Sequence, residues 1–248
     1  MQVRYPLSAL AEILGLLIAL LAAMTGMDVY PGRVVSPGIH RGVSLVGFVA
    51  LFAALVGLQG PSRVVRDEAD LGTLEQLCMG RFSLHEIIIT RVLADTLRLI
   101  PILLFVLILA ARISGTPVFV PLHQVSVMFL LTGVGMLGWG LMVASLVLLV
   151  KRMGFLTNLI SLAMLPLVFL PAESLPGPVA ILASTIPFRW SMMIFQRIAR
   201  GRLLGPGVTG TGEIIWLVGT SLVSTAAGIL VFKAADRSAR MRGLLGKY

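Results

Sequence analysis

A chain of 248 residues with 12% charged residues, 57% hydrophobic residues and a mean hydropathy of +0.98 is not an ordinary soluble domain, in which charged residues make up about a quarter. The net charge of +9 does not require nucleic acid, because basic residues flanking membrane spans set topology and meet anionic head groups. One cysteine, Cys78, excludes an intramolecular disulfide and argues against a zinc site.

Apolar runs near 7–26, 43–60, 92–110, 124–150, 155–171 and 214–232 approach or exceed the length of about 20 helical residues that crosses a bilayer. The expected fold is therefore all-α and integral to the membrane, with six transmembrane helices forming one domain over 1–248. The first run follows a single Arg4, exceeds a signal-peptide h-region and lacks a clean small-x-small cleavage site, so it reads as a retained span. Glu12 falls one or two turns inside it and reads as an interfacial group.

Between the second and third spans the composition changes. Residues 66–91, RDEADLGTLEQLCMGRFSLHEIIITR, hold five of the eleven acidic residues and three arginines. Two short helices are predicted, broken at Gly80-Arg81-Phe82-Ser83. Ser83 and Glu86 have the spacing of a capping box, and Thr73 and Gln76 repeat it. Leu84, Ile87, Ile88 and Arg91 recur at i, i+3, i+4 and i+7, predicting a short amphipathic helix at the interface that leads into the third span.

The same residues carry a resemblance. In order, Glu68, Asp70, Gly72, Thr73, Leu74, Glu75, Gln76 and Leu77, then Ser83, Glu86 and Arg91, resemble the segment between the second and third spans of type-2 ATP-binding-cassette (ABC) exporter permeases. Ala69 departs from that pattern, where the family usually has Arg. The resemblance implies a cytoplasmic coupling helix that docks on a separate ATPase subunit, with Asp70, Gly72, Thr73, Glu75, Ser83, Leu84, Glu86, Ile87 and Arg91 as the coupling residues.

Arg91, Asp95 and Arg98 lie at i, i+4 and i+7 at the start of the third span. Ionisable groups at that depth are paired or functional, so Asp95 and Arg98 are pore candidates as well as members of a self-satisfied stripe. In the fourth span Gly133 and Gly140 stand two turns apart, and in the sixth Thr220, Ser224 and Gly228 form a small-xxx-small row. Both patterns predict close helix packing within the chain.

Downstream of the fifth span, residues 165–201 contain Pro166, Pro171, Leu175-Pro176, Pro187 and Arg197. Prolines at membrane depth free backbone groups that protein neighbours must satisfy, so a re-entrant helical segment is expected here. It resembles the corresponding region of the same permeases, which makes Pro166, Pro171 and Pro176 gate candidates.

With six spans both termini share a side. Twelve Lys and Arg fall on that side and seven on the other, with Arg98 left inside the third span. The positive-inside rule then places both termini in the cytoplasm of a cell inner or plasma membrane.

No phosphate-loop motif G-x-x-x-x-G-K-[ST] occurs, nor G-x-S-x-G or H-E-x-x-H. His40, His85 and His123 are dispersed, and no residue is assigned a catalytic or metal-binding role. The resemblance implies a transport subunit that binds no cofactor, with ATP and Mg held by the partner ATPase and the pore completed by a second copy or a sister permease. The generic apolar character of the spans suits a hydrophobic or amphipathic, drug-like or lipid-linked substrate. Two other readings remain: a polytopic enzyme acting on lipids, and a membrane scaffold or sensor without transport.

Overall fold

The computed structural model describes residues 37–73, 77, 83–113, 122–149, 158–160, 162, 177–199 and 211–241. Among these the regular structure is helical, without strands. The helices are α1 (Pro37–Asp70), α2 (Leu84–Ile113), α3 (Leu122–Leu149), α4 (Gly177–Ser184), α5 (Pro187–Ala199) and α6 (Thr211–Met241).

Three stretches, Leu84–Ile113, Val125–Leu149 and Ile214–Met241, are long and apolar enough to cross a membrane. They coincide with the third, fourth and sixth predicted spans, the fourth being one residue shorter at each end, and mark a membrane protein. The second predicted span lies within α1, which runs on to Asp70. The first lies outside the described residues, as do Pro166, Pro171 and Pro176 and nearly all of the fifth.

One expectation changes. The short interfacial helix predicted over 84–91 is the opening of α2, continuous with the span that follows. Nothing between Ser83 and Pro101 interrupts the backbone hydrogen bonding, and Leu84 and Ile88 are buried at 1% and 0% exposure. Their apolar face packs into the bundle instead of lying on the membrane surface, because α1, α3 and α6 all offer apolar neighbours there: Val65, Leu141, Leu148 and Phe232 belong to the same core cluster.

The helix α3 runs through the middle, packed along α1 on one side and along α6 on the other. Its place follows from its small residues. A methyl group added at Gly140 would lie 2.4 Å from the carbonyl oxygen of Gly57, and one at Gly57 would lie 2.4 Å from that of Gly133. Pro61 explains part of this contact. Lacking an N–H, it leaves the Gly57 carbonyl without its helical donor, and the bare Cα of Gly140 closes over that oxygen.

On the other side, the Gly228 position leaves 2.2 Å between an added methyl and the Gly138 oxygen. Ser224 Oγ donates to Gly135 O at 2.9 Å, and Thr225 Oγ1 donates to Val134 O at 3.0 Å. The small-residue patterns of the fourth and sixth spans thus serve packing within the chain. In a bilayer, where apolar burial does not drive helices together, close approach and such hydroxyl bonds are what hold them.

Two core clusters divide the bundle lengthwise. One joins the end of α1, the start of α2 and the ends of α3 and α6, through Val64, Leu84, Leu148 and Ala239. The other joins the opposite ends, through Val49, Ala110, Val125, Phe188 and Leu217. The helices α1, α3 and α6 therefore run in one direction and α2 in the other. Arg63, Arg66, Arg91, Lys233, Arg237 and Arg240 share the first end, whereas Arg112 and Arg189 lie toward the second. The exposed faces of α2 and α6 carry Phe105, Ile108, Leu222, Val223 and Leu230, side chains suited to hydrocarbon.

Candidate functional site

The turn that closes α1 and opens α2 gathers the residues singled out in the sequence. The helix α1 ends in a Schellman motif. Gly72 has φ +68, a conformation that glycine adopts without the Cβ penalty. Its N–H donates to Ala69 O at 3.1 Å, and the Thr73 N–H donates to Glu68 O at 3.0 Å, satisfying two carbonyls that the helix leaves open. Glycine in the run Asp70-Leu71-Gly72-Thr73 is thus a requirement of the backbone.

Glu68 ties this cap to the next helix. The Thr73 hydroxyl donates to its Oε2 at 2.5 Å, and Arg91 Nη1 donates to its Oε1. The Thr73 hydroxyl, expected to cap a following helix, turns back onto α1 instead; Gln76 lies outside the described residues. Glu68 is buried, while the Arg91 side chain remains 48% exposed. The hydrogen bond from Thr73, with that from Arg91, holds the Glu68 carboxyl below its usual range despite the opposing effect of burial. Its contribution to stability is therefore present above the ordinary glutamate pKa and is lost as the pH falls through the lowered folded value. Thermal melts from pH 7 to 3 are expected to show wild-type stability falling below about pH 4.3, with a shallower acid limb for Glu68→Gln.

Across the turn, the Ser83 N–H donates to Glu86 Oε2 at 2.9 Å. This is the carboxylate half of the expected capping box. The Ser83 carbonyl begins the helix, accepting from Glu86 N at 3.0 Å and Ile87 N at 3.2 Å. The partly buried His85 ring sits with Nε2 3.4 Å from Ser83 Oγ. Replacing Glu86 by Gln keeps an acceptor for the Ser83 N–H and is expected to leave the melting temperature close to that of wild type, whereas Glu86→Ala removes the acceptor and is expected to lower it.

Of the predicted coupling residues, Thr73 and Arg91 are joined through Glu68, which was not among them, Gly72 shapes the cap beside them, Ser83 begins α2, and Leu84 belongs to the core. Asp67, Asp70 and Leu71 are exposed at the end of α1, Leu71 at 73%, and Glu86 and Thr90 are exposed at the start of α2, with Lys233 of α6 acting on Glu86. Ile87 is half-buried, and Glu75 lies outside the described residues. Farther along α2, Asp95 and Arg98 stand on an exposed face with Pro101 and Phe105. Arg91, the first member of the stripe expected with Asp95 and Arg98, reaches across to α1.

No family model, no curated protein and no solved structure matches this chain. The site is therefore defined by its own geometry: the glycine-capped end of α1, with Asp67, Asp70 and Leu71 exposed, and the start of α2, with Glu86 exposed, linked by Glu68 and Arg91. The described residues contain no group of three or more His, Cys, Asp or Glu that would hold a metal ion. The Glu68–Arg91 link was not foreseen in the sequence. Its signal was a glutamate four residues before the helix-ending glycine, with a basic residue at the head of the next apolar run.

Proposed function

We propose that this chain is the transmembrane permease subunit of an ATP-driven ABC exporter of the type-2 class. It moves a hydrophobic or amphipathic substrate out of the cytoplasm together with a separate ATPase subunit and a second permease copy or sister. The observation that carries the reading is that Glu68, Gly72, Thr73 and Arg91, which belong to the resemblance, are joined in one hydrogen-bonded turn. A segment that transmits force from a soluble partner must be stiff and fastened to the spans. The Schellman cap supplies stiffness, and the Glu68–Arg91 bridge fastens α1 to α2.

In this reading both termini and the turn face the cytoplasm of the cell membrane. The ATPase, carrying ATP and Mg, docks on the surface formed by Leu71, Asp67, Asp70 and Glu86. A projecting apolar side chain ringed by charge suits a groove on a soluble protein, where the ring fixes orientation and the apolar group fills a pocket. Closure of the ATPases moves the turn, and the α1–α2 link passes the displacement into the bundle.

The test is affinity purification from gently solubilised native membranes with mass spectrometry of what accompanies the chain. Wild type is expected to bring down a phosphate-loop ATPase; Leu71→Glu is expected to lose it at unchanged yield and melting temperature, and Glu86→Lys to lose it while melting no lower than Glu86→Ala, which lacks the same cap. Absence of an ATPase from the folded wild-type sample, or its undiminished recovery with both variants, overturns the reading.

A further inference from the structure

Arg189 is placed unlike the other described cations. It is the third residue of α5 and only 9% exposed. Among the described residues its Nη1 is buried without a hydrogen-bond partner. Arg63, Arg91 and Arg112 are exposed, and Arg240 is paired with Asp236. A guanidinium stays charged at any pH the protein meets, and a buried charge without a counter-charge is costly enough to call for one.

The surroundings fix both the rigidity and the depth of this group. Pro187 packs against Gly135, the Ser191 and Thr132 hydroxyls share a hydrogen bond, and Met192 fills the space over Gly47. These contacts clamp α5 to α3 and α1. Trp190, the next residue, stacks on Trp216 of α6 with ring centroids 5.7 Å apart and planes 11° from parallel, and its Nε1 donates to Ser184 O at 2.8 Å. Trp216 is 60% exposed and Ile215 70%. Tryptophans concentrate at the boundary between lipid and water, so the pair marks head-group level and places Arg189 there.

We infer that Arg189 binds a phosphate group at the end of the bundle where α6 begins, with the exposed Trp216 and Ile215 beside it as an apolar surface for an attached chain. The guanidinium fork matches phosphate oxygens in a bidentate manner. Side chains lean toward the N-terminus of their helix, which brings the fork to the positive end of the α5 dipole. Two sources present this chemistry, the head group of an anionic lipid and a water-borne phosphate. The inference does not depend on the exporter reading.

The experiment uses the full chain, purified in a mild detergent and stripped of lipid, and follows thermal unfolding on addition of dioleoyl-phosphatidylglycerol, dioleoyl-phosphatidylcholine or inorganic phosphate. Phosphatidylglycerol is expected to raise the melting temperature of wild type by several degrees at concentrations where phosphatidylcholine has little effect. Arg189→Met should lose that rise and, without ligand, melt no lower than wild type, since a buried guanidinium whose Nη1 has no partner among the described residues has been removed. Arg112→Met, which deletes an exposed charge toward the same end, should keep the rise. An equal rise with inorganic phosphate, again absent in Arg189→Met, supports the assignment and identifies the water-borne source. An equal response of wild type and Arg189→Met, or none in wild type with any probe, overturns it. Should Arg189→Met fail to fold, native mass spectrometry of wild type decides: preferential retention of phosphatidylglycerol supports the site, and equal retention of both lipids overturns it.

Discussion

Gly138→Leu is expected to abolish the folded, monodisperse protein, and Gly228→Leu to do the same from the other side of the contact. A Cβ at Gly138 would lie 2.3 Å from the carbonyl carbon and oxygen of Ser224, and one at Gly228 would lie 2.2 Å from the Gly138 oxygen. In both cases the obstacle is backbone, which cannot rotate away as a side chain does. Ordinary overpacking costs about 1–3 kcal/mol, but here α3 and α6 must separate. Separation also removes the bonds from Ser224 to Gly135 O and from Thr225 to Val134 O. Fluorescence-detected size exclusion of both variants should show aggregation or complete loss. Gly219→Leu on the same helix meets nothing within 4 Å and should elute as wild type. A monodisperse Gly138→Leu would mean that α3 and α6 do not approach this closely in the membrane.

Much of this packing was legible because its pattern is local in sequence. Gly133 and Gly140, and Ser224 and Gly228, fall on single helix faces, and a bilayer leaves small residues few other uses. The ends of the long helices were less legible. The run 43–60 stops at its last apolar residues, but α1 continues for another ten residues to Asp70, because hydropathy registers the membrane boundary and not the hydrogen-bond ladder. The same blindness made 84–91 look like a separate amphipathic helix. Its i, i+3, i+4 pattern is real, yet periodicity cannot say whether the apolar face meets lipid head groups or a neighbouring helix, and Leu84 and Ile88 meet Val65, Leu141 and Phe232. At the turn, capping signals located Ser83 and Glu86, while the partner of Arg91 lay 23 residues away and no periodicity connects such positions. The buried Arg189 and the Trp190–Trp216 stack left no signal beyond residue type.

Glu68→Lys is expected to produce the largest loss of stability at the turn itself. The substitution removes the acceptor for both Thr73 and Arg91 and sets a second cation beside the arginine. Breaking a buried pair costs about 3–5 kcal/mol; the half-exposed Arg91 can turn to water, so the Arg91→Ala change alone should cost less. The cap of α1 separates the contributions. Its backbone bonds from Gly72 and Thr73 do not need the Glu68 side chain, so the helix should still end at Asp70 while α1 and α2 lose their link. A double-mutant cycle isolates that link. Arg91→Glu placed in the Glu68→Lys background should recover part of the lost melting temperature by restoring an opposite-charge pair, though not the Thr73 bond. Additive losses would show that the two residues act independently and that the turn owes its rigidity to the Schellman cap alone. If the chain is the proposed permease, the rescued pair should also restore ATPase-driven export that Glu68→Lys has lost, because the force from the docking surface enters the bundle through this contact.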